Sequence, residues 1–205
     1  VQCLVGSEMC IRDSGNKLAK KLITLFDLPI AAPSANLSER TSVTNIMDID
    51  PILVKKIFVL KDKQSSHGLE STVVRIDNNN EIEVLRYGSI TVEELNRYAK
   101  VKIKKKSSIS PGNLKKHYST LKPIRMNAKR ILKNEGLLNF GNNKLKSKII
   151  NLNLSNKKNL NEAAKNFYHY LHKLDQSRCK KIAVVEIPDK GLGKTINDRL
   201  RRAIK

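Results

Sequence analysis

Residues 68–76 read GLESTVVRI, in which three polar side chains directly precede an apolar run. This pattern predicts a β-strand over 70–76, and residues 81–86 (EIEVLR) predict its partner across an asparagine-rich turn. Gly68 lets the backbone approach a neighbouring group closely. The polar side chains of Glu70, Ser71 and Thr72 indicate either a ligand site or an ordinary strand start, and the residues alone leave both interpretations open.

A polar loop lies upstream, where residues 33–44 read PSANLSERTSVT after a short apolar strand predicted at 30–32. The hydroxyls of Ser34, Ser42 and Thr44 suit hydrogen bonds to phosphate or ribose oxygens, and Asn36 can both donate and accept, which suits a bound nucleotide. A serine-rich turn followed by a helix N-cap explains the same residue types. The loop is therefore a candidate nucleotide-binding segment with a structural alternative.

A single arginine ends the second predicted strand, within residues 85–91 (LRYGSIT). The planar guanidinium of Arg86 can hold a phosphate through two parallel hydrogen bonds. An ion pair on the protein surface is the alternative for this side chain. In either case Arg86 follows the strand that we expect to pair with 70–76.

The charge of the chain changes sharply near residue 98. The 205 residues carry 40 Lys and Arg against 19 Asp and Glu, a formal net charge of +21. Residues 15–98 hold 11 of each sign, whereas residues 99–205 hold 28 basic and 6 acidic side chains. The basic half favours a polyanionic partner such as RNA. Abundant Lys and Asn with few aromatic side chains for base stacking favours solvated lysine instead. The step in charge predicts a domain boundary.

The remaining elements follow from periodicity and turn residues. Residues 99–123 predict a linker, since they combine a lysine run with Ser, Pro and Gly. Alternating strands and helices after it predict a small parallel α/β domain. We expect helices at 16–27, at 160–174 and at 195–204, a short helix that ends at Met47, and a helix with Thr91 as its N-cap. We expect a buried strand at 57–60 and further strands at 136–140, 149–152 and 182–187.

Two further features receive a structural interpretation. His169 and His172 are three residues apart on a predicted helix with no third metal ligand, and we expect surface histidines. Gly191 and Gly193 precede the last helix, and we expect a turn and helix start rather than a phosphate loop. Three cysteines lack zinc-ligand spacing, which suits a reducing cytoplasm, and Cys179 is expected to be an inert, partly buried thiol.

Residues 1–14 (VQCLVGSEMCIRDS) resemble a translated sequencing-adaptor segment rather than a targeting signal, and we expect them to be non-native. The first residue is Val rather than Met, which predicts a fragment. No run of 18 apolar residues occurs, so the sequence predicts no membrane span. The sequence therefore predicts a non-native segment at 1–14, a first domain at 15–98, a linker at 99–123 and a small second domain at 124–205.

Together the three polar stretches resemble the L-threonylcarbamoyladenylate synthases of the YrdC-type fold, in their two-domain form. The matching stretches are PIAAPSANLS at 29–38, GLESTVVRI at 68–76, LRYGSIT at 85–91, SPGNLKKHYSTLKP at 110–123 and EIPDKGLGKTINDRLRRA at 186–203. The resemblance implies an α/β fold: a YrdC-like twisted mixed sheet with helices, incomplete here, then a linker and a small C-terminal Rossmann-like parallel α/β domain. Residues 15–98 would be the C-terminal part of the catalytic domain.

The resemblance implies a nucleotidyltransferase that makes threonylcarbamoyl-AMP from L-threonine, bicarbonate and ATP, releases pyrophosphate, and supplies a downstream transferase complex that modifies tRNA. A Mg²⁺ ion is expected with the ATP. The chemistry needs positioning and charge stabilisation, and no catalytic side chain or protein metal ligand is implied. The implied ATP contacts are Ser34, Asn36, Ser42, Arg86 and Tyr118, and the implied threonine contacts are Ala32 (backbone) and Ser71. Tyr118 would reach the ATP from a linker that acts as a lid, with His117 orienting the linker.

Some residues depart from the family pattern. Glu39 and Tyr87 stand where Gly and Pro are expected, and Arg75 where an acidic residue is expected. The family's basic phosphate-binding motif is absent from these residues, so the resemblance implies a truncated chain that is inactive or folds poorly alone. An RNA-binding YrdC-like module without catalysis is the main alternative. A carbamoyl-transfer domain and a purely structural module are further alternatives.

Overall fold

The computed structural model describes residues 2–5, 8–11, 15–28, 30, 35–37, 39–60, 65–103 and 118–204. The elements in chain order are β1 (Gln2–Val5), β2 (Glu8–Ile11), α1 (Lys17–Phe26), a 3₁₀ helix (Ile46–Asp48), α2 (Pro51–Val54), β3 (Val73–Ile76), β4 (Ile82–Arg86), α3 (Val92–Leu95), β5 (Val101–Lys102), β6 (Ile124–Arg125), β7 (Glu135–Asn139), β8 (Asn151–Asn153), α4 (Leu160–Gln176), β9 (Lys181–Val184) and α5 (Leu192–Ala203).

The first unit, residues 15–103, contains a three-stranded mixed sheet in the order β3-β4-β5. β3 and β4 are antiparallel, and β4 and β5 are parallel. The Asp77 side chain closes the turn between β3 and β4 by accepting from the backbone of Asn79 and Glu81. Arg75 pairs across the strands with Glu83 at 2.6 Å, so the basic residue in place of an expected acidic one has a partner.

The second unit is a four-stranded parallel sheet in the order β6-β9-β7-β8, packed against α4 and α5. All residues of the central strand β7 are buried, as expected for a strand covered on both faces. Asn159 caps α4 by accepting from the backbone of Asn161 and Glu162. The apolar face of α4 supplies core residues that include Ala163, Phe167, Tyr168, Leu171 and Leu174, all at most 1% exposed.

These two sheets confirm the predicted α/β fold class, with a mixed sheet followed by a parallel one. The helices predicted at 16–27 and 160–174 form, and the last helix begins three residues earlier than expected. Thr91 caps α3, in a reciprocal capping box with Glu94. The strand predicted at 30–32 lies partly outside the described residues, and so does most of the predicted linker.

The buried strand predicted at 57–60 is wrong. These residues form neither a strand nor a helix, and Phe58 is 90% exposed. An apolar run becomes a buried strand only when a neighbouring strand satisfies its backbone groups. Among the described residues no strand pairs with this segment.

Apolar exposure distinguishes residues 15–60 from the second unit. No residue of α1 is buried, although its apolar side chains share one face. The large apolar side chains of this stretch that are at least 45% exposed are Leu22, Leu25, Phe26, Leu28, Met47, Ile52, Val54, Phe58 and Leu60. The apolar residues of the second unit are, by contrast, mostly in one buried cluster.

Strands β1 and β2 pair with each other in antiparallel orientation. Within the described part of the chain they pair with no other strand. In that same part, no helix is both long and apolar enough to cross a membrane.

Candidate functional site

Glu70, just before β3, is the centre of a hydrogen-bonded cluster between the two units. Its Oε1 accepts from the Ser42 hydroxyl and, at 2.7 Å, from the Tyr168 hydroxyl. Its Oε2 accepts from Arg199 Nε at 3.1 Å. One carboxylate therefore joins the polar loop, the start of β3, α4 and α5.

Arg199 lies on α5, and its side chain is completely buried. Its Nη2 donates to the Tyr87 carbonyl and its Nη1 to Asp198 Oδ2, both at 2.6 Å. The guanidinium carbon lies 4.6 Å from the centroid of the Tyr118 ring, a cation–π geometry. Each edge of the guanidinium thus faces an acceptor, while its plane faces an aromatic ring.

The charges in this cluster stabilise one another. Burial raises the pKa of the Glu70 carboxyl, but the Arg199 charge and the hydrogen bonds from Ser42 and Tyr168 outweigh it, so the pKa is lowered. Burial, together with the Glu70 charge, holds the pKa of the Tyr168 hydroxyl well above its ordinary value. At neutral pH the cluster is a carboxylate, a guanidinium and a neutral phenol.

Arg86 and Ser71 form a second pair beside this cluster. Arg86 is 9% exposed, and its Nη2 donates to the Ser71 carbonyl at 2.9 Å and to Ser71 Oγ at 3.2 Å. Arg86 is therefore a buried side chain and not the exposed one that we considered as the alternative. A predicted nucleotide contact and a predicted threonine contact are thus adjacent in the structure.

The described part of the polar loop is held by its own side chains. Asn36 Nδ2 donates to the carbonyls of Leu37 and Arg40, both at 3.0 Å. This is the turn-forming role that we considered as the alternative for the loop, and it leaves the predicted ATP contact of Asn36 untested. Ala32 and Ser34 lie outside the described residues.

Among the described non-glycine residues with left-handed backbone conformations, which side chains with a Cβ rarely adopt, two lie near the site. Glu39 has φ +64°, which explains why a glycine was expected there. Tyr118 has φ +66°, and its side chain is 2% exposed between Arg199 and Tyr168. Tyr118 therefore packs into the second unit, and its predicted contact with ATP stays a prediction. His117 lies outside the described residues.

The expectation of surface histidines is wrong. His169 Nδ1 lies 2.8 Å from Asp48 Oδ2, and Asp48 is 9% exposed. His172 Nε2 lies 3.2 Å from both Thr41 Oγ1 and the Ser42 carbonyl. The two histidines lie against residues 41–48 of the first unit, a tertiary contact of α4 that helical spacing does not reveal.

Two glycines allow close backbone contacts around the cluster. Gly68 has φ +68°, and a Cβ there would lie 2.3 Å from the Ala164 carbonyl oxygen on α4. A Cβ on Gly88 would lie 2.3 Å from the backbone of Ser71 and Thr72. Gly191 and Gly193 begin α5, which confirms the predicted turn and helix start.

A metal-binding cluster is not formed by the described residues, in which no group of three or more His, Cys, Asp or Glu side chains could hold an ion. The Glu70 carboxylate is already shared among Ser42, Tyr168 and Arg199. The hydroxyls of Ser42 and Tyr168 and the guanidinium of Arg199 are therefore already paired with acceptors of the chain.

Sequence reasoning missed Arg199, Tyr168 and the central position of Glu70. The signal for Arg199 was its place on α5, where buried positions Ile196, Leu200 and Ala203 define the apolar face. An arginine on such a face needs buried partners. The position of those partners, 129 residues earlier in the chain for Glu70, could not be read from local pattern.

Comparison with known proteins identifies two families along the chain. Residues 90–204, more than half of the chain, match the family described as the C-terminal domain of threonylcarbamoyl-AMP synthase. Residues 5–88 match the family described as telomere recombination.

Two curated relatives are threonylcarbamoyl-AMP synthases. That of Pyrococcus abyssi is 25% identical over 95% of this chain and 63% of its own length. That of Schizosaccharomyces pombe is 34% identical over 53% of this chain and 30% of its own length. The chain thus spans less than two thirds of the length of each relative.

The fold also matches solved structures. The crystal structure of P. abyssi Sua5 complexed with L-threonine has a TM-score of 0.78 at 24% identity, over 92% of this chain and 62% of that one. A variant of the same protein with an adjacent histidine and tyrosine changed to alanine has a TM-score of 0.70 at 23% identity, over 92% and 59%.

Proposed function

The chain belongs to the threonylcarbamoyl-AMP synthase family, and from this premise we propose that its protein makes threonylcarbamoyl-AMP from L-threonine, bicarbonate and ATP. The threonine amine forms a C–N bond with the bicarbonate carbon, a C–O bond of the bicarbonate breaks, and its oxygen leaves as water with a proton from the amine, which gives a carbamate. A carbamate oxygen then attacks the α-phosphorus of ATP, and pyrophosphate leaves with the electron pair of the broken P–O bond. The product would supply a transferase complex that modifies tRNA.

The observation that best supports this proposal is the pairing of Arg86 with Ser71. Arg86 donates to the Ser71 carbonyl and hydroxyl, so the two segments that carry the predicted nucleotide and threonine contacts are adjacent. A reaction that joins an amino acid derivative to a nucleotide needs both ligands side by side.

In this proposal each predicted contact has one task. Ser34, Asn36, Ser42, Arg86 and Tyr118 bind ATP, and Ser71 with the Ala32 backbone binds threonine. The described residues do not provide a carboxylate cluster for Mg²⁺. We therefore propose that any Mg²⁺ is bound by the ATP phosphates, and no step of the reaction is assigned to it.

The direct test is to measure pyrophosphate release from ATP by the full-length gene product. We expect release to require both threonine and bicarbonate, and Arg86→Ala to reduce kcat/KM by about a hundredfold. Arg97→Ala is the matched control, because Arg97 is an exposed arginine of the same unit. Release that is independent of threonine would overturn the proposal.

An RNA-binding module without catalysis is the second candidate, and the 28 basic side chains of residues 99–205 favour it. It predicts that the protein releases no pyrophosphate and binds RNA with an affinity that falls steeply with salt concentration. Binding measured from 50 to 200 mM salt, alongside the pyrophosphate assay, separates the two candidates.

A further inference from the structure

We propose that Arg199 is a positioning residue for the synthase reaction, which holds the nucleotide-binding and threonine-binding segments in their working arrangement from the second unit. The inference rests on the proposed function. It assigns to α5 a part in the active site, although α5 carries none of the predicted substrate contacts.

The first support is the contact of Arg199 with Glu70. Arg199 Nε donates to Glu70 Oε2, and Ser42 donates to Oε1 of the same carboxylate. Glu70 directly precedes Ser71 in the chain. The Arg199–Glu70 pair therefore fixes the Ser42 hydroxyl and the backbone next to Ser71 relative to each other.

The second support is the contact of Arg199 with the other motif segment. Arg199 Nη2 donates to the Tyr87 carbonyl at 2.6 Å, and Tyr87 directly follows Arg86. Arg86 itself donates to Ser71. One guanidinium thus bonds next to both members of the Ser71–Arg86 pair.

A second residue of α5 also contacts the segment that contains Tyr87. Thr195 Oγ1, one turn before Arg199 on α5, donates to the Gly88 carbonyl at 3.0 Å. The Ser89 amide donates to the Glu70 carbonyl at 2.8 Å, so the two motif segments also bond to each other there. The segments around Glu70 and Tyr87 are therefore held together directly and through α5.

Burial argues against a role in stability alone. The Arg199 side chain is completely buried, and apolar side chains in place of the whole Arg199–Glu70 pair could give equal stability, whereas removal of Arg199 alone leaves the Glu70 carboxylate without its partner. An apolar side chain cannot donate the hydrogen bonds that Arg199 donates to Glu70, Tyr87 and Asp198. A guanidinium holds its N–H donors in fixed directions within one plane, and a lysine ammonium does not.

The experiment compares Arg199→Met, Arg199→Lys and the control Arg201→Met in the full-length gene product. Arg201 is on the same helix, but its side chain is 56% exposed and pairs with Asp189. Two measurements are made at a temperature where circular dichroism shows each variant folded. One is amide hydrogen exchange at Ser89 and in residues 69–72 and 86–88. The other is the KM for ATP, the KM for threonine and kcat.

For Arg199→Met we expect faster exchange in the two segments and an increase of about tenfold or more in both KM values. Arg199→Lys should lie between Arg199→Met and wild type, and Arg201→Met should match wild type. A purely structural role predicts unchanged KM values with kcat reduced in proportion to the folded fraction, and that result would overturn the inference. Unchanged exchange in Arg199→Met would also overturn it.

The exchange measurement does not depend on the reaction. If wild type shows no threonine-dependent pyrophosphate release while Arg199→Met accelerates exchange, the proposed function is wrong and the ordering by Arg199 is supported. If wild type is active and exchange is insensitive to Arg199, the proposed function stands and the positioning role is wrong.

Discussion

Gly68 shows how one missing side chain sets the contact between the two units. We expect Gly68→Ala to lower the free energy of unfolding by about 2–4 kcal/mol, because φ is +68° and the new Cβ would lie 2.3 Å from the Ala164 carbonyl oxygen. Urea denaturation measures the change. Gly15→Ala is the control, since nothing lies within 4 Å of that position. Equal stability of the two variants would contradict the described packing.

Glu70 makes stability depend on pH in the acid range. Its pKa is lower in the folded protein than the ordinary value of 4.5, so the unfolded state takes up a proton first as the pH falls. The contribution of Glu70 is therefore complete above pH 4.5 and is lost as the pH falls through the folded pKa. We expect Glu70→Gln to be about 3 kcal/mol less stable at pH 7.

The measurement is urea denaturation of wild type and Glu70→Gln from pH 7 to pH 3. The two stabilities should approach each other below pH 4.5, because wild type then loses the charge that Glu70→Gln already lacks. Parallel profiles over the whole range would show that Glu70 does not have a lowered pKa.

Sequence reasoning found single residues where a chemical group stands out from its surroundings. Ser71 and Arg86 were selected as polar groups at strand ends, and the structure places them in contact. Glu39 was noted in a glycine position, and its φ is +64°. The partner of a buried charge depends on tertiary packing, so the contact of Arg199 with Glu70 could not be predicted.

At the scale of elements, the first turn of α3 depends on its cap. Thr91 accepts from the Glu94 amide, and the Glu94 carboxylate accepts from the Thr91 amide. We expect Thr91→Ala to lower the free energy of unfolding by about 1 kcal/mol, and Thr91→Ser to retain most of it. Chemical denaturation of both variants tests this, and equal losses would rule out the hydroxyl as the cap.

Elements with many periodic positions were predictable, and short apolar runs were not. Helix α4 has 17 residues with a continuous buried face, so its position followed from spacing alone. Residues 57–60 offer only four apolar positions, which specify a strand only if another strand lies beside them. The histidines of α4 were assigned to the surface because spacing within one helix does not reveal packing against the polar loop.

At the scale of the molecule, the two units differ in how well their apolar side chains are covered. The second unit has one buried cluster, whereas residues 15–60 leave Phe58 90% and Met47 79% exposed. We expect residues 118–204 expressed alone to unfold in one cooperative transition. We expect residues 1–103 alone to bind the dye ANS strongly, because exposed apolar surface attracts it.

Thermal denaturation by circular dichroism and ANS fluorescence measure these two properties. Weak dye binding by residues 1–103, or a gradual transition of residues 118–204, would contradict the difference in burial. Phe58→Ser in residues 1–103 should reduce dye binding, and Phe167→Ser in residues 118–204 should abolish the cooperative transition.

The bond between Arg199 and Glu70 also has a consequence for protein synthesis. The ribosome makes Glu70 129 residues before Arg199, so the motif segments emerge while their buried guanidinium partner is still absent. The nascent chain must therefore keep an unpaired carboxylate and its neighbouring loop in water until α5 is released. The hydrogen bonds that order the segments around Glu70 and Tyr87 are thus completed late, after α5 has left the exit tunnel.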